Sequence, residues 1–149
     1  MPIVSWSYAT PPSGAVVYVI GVGGGWVRLR ADCIKSYVIL AKRVIDGLLV
    51  RYRHPPDLLE SIFDTLTGIA FLSEVHRIKP TGLAGHSFGG SAIIQADIAS
   101  PNIVTTIASL ATQSYGASEA ISKLNQRPST LLIHGNDDKV LPFYCLQQV

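Results

Sequence analysis

A serine between two glycines is the clearest chemical feature of this chain of 149 residues. Residues 85–89 read G-H-S-F-G, a G-x-S-x-G pattern with Ser87 at its centre. The residues before it, from Thr81, favour a buried strand, and the run after it, rich in small residues, favours a helix. A sharp strand-to-helix turn would strain Ser87 and expose its hydroxyl, while side chains at Gly85 or Gly89 would collide with neighbouring backbone. The pattern therefore predicts that Ser87 is a nucleophile.

A nucleophilic serine needs a general base for its proton and donors for the negative charge that develops on the substrate. The backbone N–H of Phe88, at the start of the predicted helix, is free to be one such donor. The alternative is that Ser87 only caps this helix after a tight turn. We favour the nucleophile because three further segments point the same way.

Together with the serine motif, these segments resemble the α/β-hydrolase superfamily. Ala15–Ile20 and the following G-V-G-G-G-W of 21–26 resemble its strand and oxyanion loop, although Ile20 stands where many members have histidine. Residues 131–142, L-L-I-H-G-N-D-D-K-V-L-P, resemble the late strand and acid loop, and 49–53 fit the strand between them. The order and spacing are most similar to small, lidless esterase-like and dienelactone-hydrolase-like members.

The resemblance implies roles for particular residues. Asp138 would be the acid of the catalytic triad, with Asp137 as the fallback, and the backbone N–H of Val22 would join that of Phe88 in the oxyanion hole. The alternative for the two aspartates is that they stabilise a turn or cap a helix. The implied substrate is a small ester or related acyl compound, and the resemblance implies no cofactor and no metal.

A base histidine is missing from this pattern. The family's histidine follows one more strand, but the sequence ends at Val149, soon after Asp138. We expect His86 to point away from Ser87 into strand–helix packing, and His134 to bond backbone groups in the acid loop. We interpret the chain as a shortened hydrolase that lacks the final strand and histidine loop, in preference to a base supplied by a partner protein or to lost catalysis. It should be a poor enzyme.

Composition limits the classes of protein. Hydrophobic residues make up 48% and charged residues 15% of the chain, and a mean hydropathy of +0.32 suits a parallel sheet buried on both faces. The net charge of +2 is scattered, which disfavours nucleic-acid binding. Two distant cysteines predict a reduced, cytoplasmic protein, and we find no signal peptide or membrane span.

The fold prediction is a three-layer α/β sandwich with a mostly parallel, five-stranded sheet. Residues 1–14 are predicted as an irregular lead-in and 15–149 as a single domain. By resemblance, the five strands lie in the order second, first, third, fourth, fifth. Helices are predicted from Ile34 to Ile45 and after Asp57, an N-cap with Glu60 three residues on. The predicted strands are Ala15–Ile20, Leu48–Tyr52, Thr81–His86, Ile103–Leu110 and Thr130–His134.

The sequence is also compatible with two other interpretations. The glycine run could bind a dinucleotide, but Trp26 stands where that fingerprint needs its third glycine, and no acidic residue ends the second strand. The chain could instead be a non-catalytic α/β domain that binds a small ligand or a protein partner. The last strand, Thr130–His134, would lie at an uncovered sheet edge, so we also expect self-association through it.

Overall fold

The computed structural model describes residues 3–7, 11–22, 39–40, 42–79, 81–100, 102–124 and 128–149, with backbone alone for 3–7. Cys33 and the glycine-rich stretch from Gly23 to Trp26 lie outside the described residues. So do residues 34–38 and 41 of the helix predicted from Ile34 to Ile45.

One sheet organises the described part of the chain. Its strands are β1 (Ile3–Ser7), β2 (Gly14–Val19), β3 (Ile45–Val50), β4 (Thr81–His86), β5 (Val104–Leu110) and β6 (Ser129–Ile133). Their spatial order is β1-β3-β2-β4-β5-β6, in which β2 to β6 run parallel and β1 pairs antiparallel with β3. The five parallel strands and their order confirm the prediction, and β1 is an added edge.

The structure differs from the predictions at two places near the β1 edge. Ile3–Ser7 forms a strand within the segment predicted to be irregular. The helix predicted from Ile34 to Ile45 was wrong at its end, because Ile45 is the first residue of β3 and pairs with Gly14 of β2. The residue before it, Val44, has a φ of 62°, which no helix allows.

Four α-helices are described. Asp57 caps the first, as predicted, because its Oδ1 accepts from the Glu60 N–H at 3.0 Å. A π-helical turn, Phe71–Val75, follows this helix directly. No helix in the described part of the chain is both long and apolar enough to cross a lipid bilayer. The helices are α1 (Leu58–Ala70), α2 (Phe88–Ala99), α3 (Ser118–Ile121) and α4 (Tyr144–Gln147).

The core lies between the sheet and the two long helices, which pack against each other and against the same sheet face. Strand residues of that face, such as Val17, Leu83 and Ile107, are fully buried beneath them. Helix α2 is buried along most of its length, which fits the small residues that follow the serine motif. A buried helix start directly after β4 fixes where Ser87 can lie.

Candidate active site

Ser87 lies in the sharp turn between β4 and α2, at the carboxyl edge of the parallel strands. Its φ of 56° and ψ of −121° are unusual for a residue with a side chain, and such strain costs on the order of 1–3 kcal/mol. Its N–H donates to the Leu110 carbonyl at 2.9 Å, which ties the turn to β5. The Ser87 hydroxyl makes no capping hydrogen bond, so helix capping does not explain this residue.

The two flanking glycines are required by close backbone approach. A Cβ at Gly85 would lie 2.5 Å from the Gly89 carbonyl oxygen, and a Cβ at Gly89 would lie 2.8 Å from the Val19 carbonyl carbon. Real Cβ atoms do not approach backbone so closely. These contacts are the steric reason why both positions require glycine.

Gly89→Ala should therefore destabilise the protein, although alanine is the better helix former. The added methyl would meet the backbone of Val19 and, at 3.1 Å, that of Ile20, so we expect a loss of about 1–3 kcal/mol in urea unfolding. Gly135→Ala is the matched control, because its nearest contact would be 4.0 Å away at Asp138. Equal unfolding midpoints for the two variants would contradict this account.

Two backbone segments border the serine. Gly21 follows β2, and a Cβ placed there would lie 3.1 Å from the Ser87 Cβ, so this glycine keeps the space beside the serine open. Val22, the predicted oxyanion donor, is partly exposed in the turn that follows. Phe88, the other predicted donor, is the first residue of α2, where the N–H has no intrahelical acceptor.

The Phe88 ring is supported by a residue that sequence reasoning did not single out. Tyr52 lies just beyond β3 and contacts Phe88 edge to face, with ring centroids 5.6 Å apart. Burial, and secondarily the Asp64 carboxylate, raise the pKa of Tyr52, so its hydroxyl stays protonated. Asp64 in turn accepts from the Arg53 N–H at 2.8 Å, which fixes this loop to α1. The sequence pattern around Phe88 does not predict its contact with Tyr52, which is distant along the chain.

Asp138 lies in the loop after β6, and its carboxylate is held by that loop. Its Oδ1 accepts from the N–H groups of Val140 at 2.8 Å and Leu141 at 2.9 Å. These bonds, first that of Leu141 and then that of Val140, hold the pKa of Asp138 below its usual range, with smaller contributions from His134 and His86. The side chain is therefore an anion at neutral pH.

The fold brings Asp138 into the neighbourhood of Ser87. Strands β4 and β6 flank β5, with His86 in register with Leu110 and Leu110 with Ile133, so their ends are about 10 Å apart. The Asp138 carboxylate and the imidazole of His86, the residue before Ser87, each influence the pKa of the other. The predicted strand order already implied that these ends meet at one edge.

The four histidines of the chain all lie among the described residues, and none is hydrogen-bonded to Ser87 in the described part of the structure. His134 bonds the Leu141 carbonyl, as predicted. His86 ends β4, where strand alternation places it on the sheet face opposite Gly85 and α2. A Cβ on Gly21 would lie 3.5 Å from the His86 Nδ1. Burial lowers the pKa of His86, and the Asp138 carboxylate partly opposes this.

One cavity among the described residues lies away from Ser87. Its volume is about 540 Å³, and it lies on the sheet face opposite α1 and α2, beside the first residues of β2 and β3. Catalytic and ligand sites of open parallel sheets lie at the carboxyl ends of the strands, so this cavity is not the space that Ser87 faces. Among the described residues, no three His, Cys, Asp or Glu side chains are grouped to hold a metal ion.

Comparison with solved structures identifies the fold. The chain superimposes on dienelactone hydrolase from Anabaena variabilis with a TM-score of 0.77 and 20% identity, covering 97% of this chain and 73% of that one. An α/β serine hydrolase homologue from Coxiella burnetii gives 0.71 and 14%, covering 95% and 72%. The esterase domain of a Rhodothermus marinus protein gives 0.69 and 13%, covering 96% and 73%.

These likenesses show that the chain has the α/β-hydrolase fold, as its motifs predicted. No protein-family model matches the chain, and no curated protein matches it in sequence. Roles for individual residues therefore rest on the geometry of the site.

Proposed function

We propose that this chain is a serine hydrolase that acts on a small ester or related acyl bond, with Ser87 as its nucleophile. The observation that carries the proposal is the strained backbone of Ser87 between two glycines that cannot be replaced. Strain of this kind persists where function requires it. Here it holds a hydroxyl that makes no hydrogen bond to the described residues, at the edge where substrates of open α/β sheets bind.

The surrounding groups fit acyl transfer. Ser87 would attack the acyl carbon, and the N–H groups of Phe88 and Val22 would stabilise the oxyanion that forms. Asp138 would orient the protonated base and stabilise its charge, because its Oδ1 is occupied by backbone N–H groups while Oδ2 has no hydrogen bond within the described residues. We propose a small substrate because residues 111–117 connect β5 to α3 without an inserted lid.

The base is the group that the described residues do not supply. Because none of the four histidines bonds Ser87 there, we propose that the chain by itself is a slow catalyst. Loss of one triad member leaves about 10³–10⁴-fold rate enhancement over water, from the oxyanion hole and binding. The competing proposal is a non-catalytic α/β domain that binds a small ligand or a protein partner.

A serine-directed fluorophosphonate probe tests the proposal. We expect slow labelling that approaches one probe per chain when imidazole is added, mapped to Ser87 by mass spectrometry, and no labelling of Ser87→Ala. Ser122→Ala is the matched control, because Ser122 is an exposed serine whose hydroxyl donates to the Glu119 carbonyl, and it should label normally. An unlabelled wild-type chain would favour the binding domain, and labelling that survives Ser87→Ala would reject the nucleophile.

A further inference from the structure

His134 is buried at the start of the loop that carries Asp138. Its side chain is fully buried, and its ring contacts Phe143 edge to face at a centroid distance of 6.1 Å. The Nε2 atom lies 2.6 Å from the Leu141 carbonyl oxygen. A carbonyl only accepts hydrogen bonds, so the proton of the imidazole is on Nε2.

Leu141 connects this histidine to the carboxylate. Its carbonyl accepts from His134, while its N–H donates to the Asp138 Oδ1 at 2.9 Å. The Val140 N–H completes the arrangement at 2.8 Å. The loop from 134 to 141 is thus closed at its ends by the imidazole, and the carboxylate is bonded inside it.

His134 is not placed to act as the base. Its Nε2 is engaged with Leu141, and its Nδ1 is buried with no hydrogen-bond partner in the described structure. The distance from Nε2 to the Asp138 Oδ2 is 3.9 Å, too long for a hydrogen bond.

We propose that His134 is a positioning residue for Asp138, acting through the Leu141 peptide. It fixes the loop so that Oδ1 receives both backbone N–H groups and Oδ2 remains available to a base. We call the hydrogen bond from the His134 Nε2 to the Leu141 carbonyl, together with the loop closure it produces, the clamp. The effect of the clamp on catalysis rests on the proposed function, whereas the clamp itself does not.

Amide hydrogen exchange on the ¹⁵N-labelled full chain tests the clamp. His134→Leu fills a similar volume but removes the donor, and we expect exchange at Val140 and Leu141 to accelerate about tenfold, the factor for one typical hydrogen bond. His134→Gln retains an N–H donor at a similar reach and should restore slow exchange. The Arg53 amide, bonded to Asp64, is the control for global stability.

Exchange at Val140 and Leu141 that is unchanged in His134→Leu would overturn the proposal, and so would equal acceleration in both variants. If His134→Leu does not fold, the imidazole ¹⁵N shifts of the wild-type chain decide instead, since a proton on Nδ1 with none on Nε2 would exclude the bond to Leu141. None of these measurements needs a reactive Ser87. A failed clamp and a failed nucleophile are therefore told apart.

Discussion

Imidazole added to this protein is expected to accelerate hydrolysis of an activated short-chain ester, and Ser87→Ala is expected to abolish that acceleration. The physical reason is the missing base, since no histidine in the described structure bonds Ser87. General base catalysis contributes about 10²–10⁴-fold, and we expect freely diffusing imidazole to recover the lower part of that range. The measurement is the initial rate against imidazole concentration.

The added base matters because triad members act as a unit. Removing the serine from an enzyme that already lacks its base changes the rate little, so Ser87→Ala alone is a weak test. With imidazole present, wild type and Ser122→Ala should accelerate together, above the background of imidazole acting on the ester in solution. Equal acceleration in Ser87→Ala would reject the nucleophile.

Wild-type turnover of tens per second without imidazole, which is an ordinary enzyme rate, would contradict the premise. One of the four histidines would then have to reach Ser87. His86 would be the first to replace, because it precedes the serine and interacts with Asp138.

We also propose that the protein self-associates through the β6 edge. Strand β6 is the last of the sheet, and Leu131 and Ile133 expose 53% and 48% of their surface. The strand, S-T-L-L-I, carries no charge and no proline, so nothing within it blunts edge-to-edge pairing. We propose that the partner is a second copy of this chain, because an uncharged strand can pair with itself about a two-fold axis without opposing like charges.

Leu131→Lys should shift the protein towards monomer. In antiparallel self-pairing centred on the middle residue of β6, Leu131 faces its own symmetry mate, so two lysines would be directly opposed. Light scattering after gel filtration, over a range of concentrations, measures the effect. Leu59→Lys is the matched control, because Leu59 is an equally apolar and exposed residue on α1, at 62%.

A wild-type chain that stays monomeric at high concentration would contradict this prediction, as would Leu59→Lys acting like Leu131→Lys. Growth into open-ended aggregates that Leu131→Lys suppresses would support pairing at this edge but reject a closed dimer.

The sequence by itself determined the elements whose signals are local. The glycines around Ser87 mark a turn that no other residue fits, and Asp57 with Glu60 marks a helix start, because both depend on contacts within a few residues. The alternation of helical patterns with short apolar runs predicted the parallel strands, and the family resemblance predicted the order of those strands. The oxyanion-hole donors at Phe88, from its place at the helix start, and at Val22, from the family resemblance, stay a prediction.

Only the tertiary structure decided which distant groups meet. Strand β1 and the start of β3 depend on pairing across the sheet, as at Gly14 and Ile45, and such pairing leaves no period in either segment alone. The approach of Asp138 to His86, and the closure of its loop by His134, require β5 to lie between β4 and β6. A sequence pattern fixes the faces of an element, whereas the partners of each face follow from how all the elements pack together.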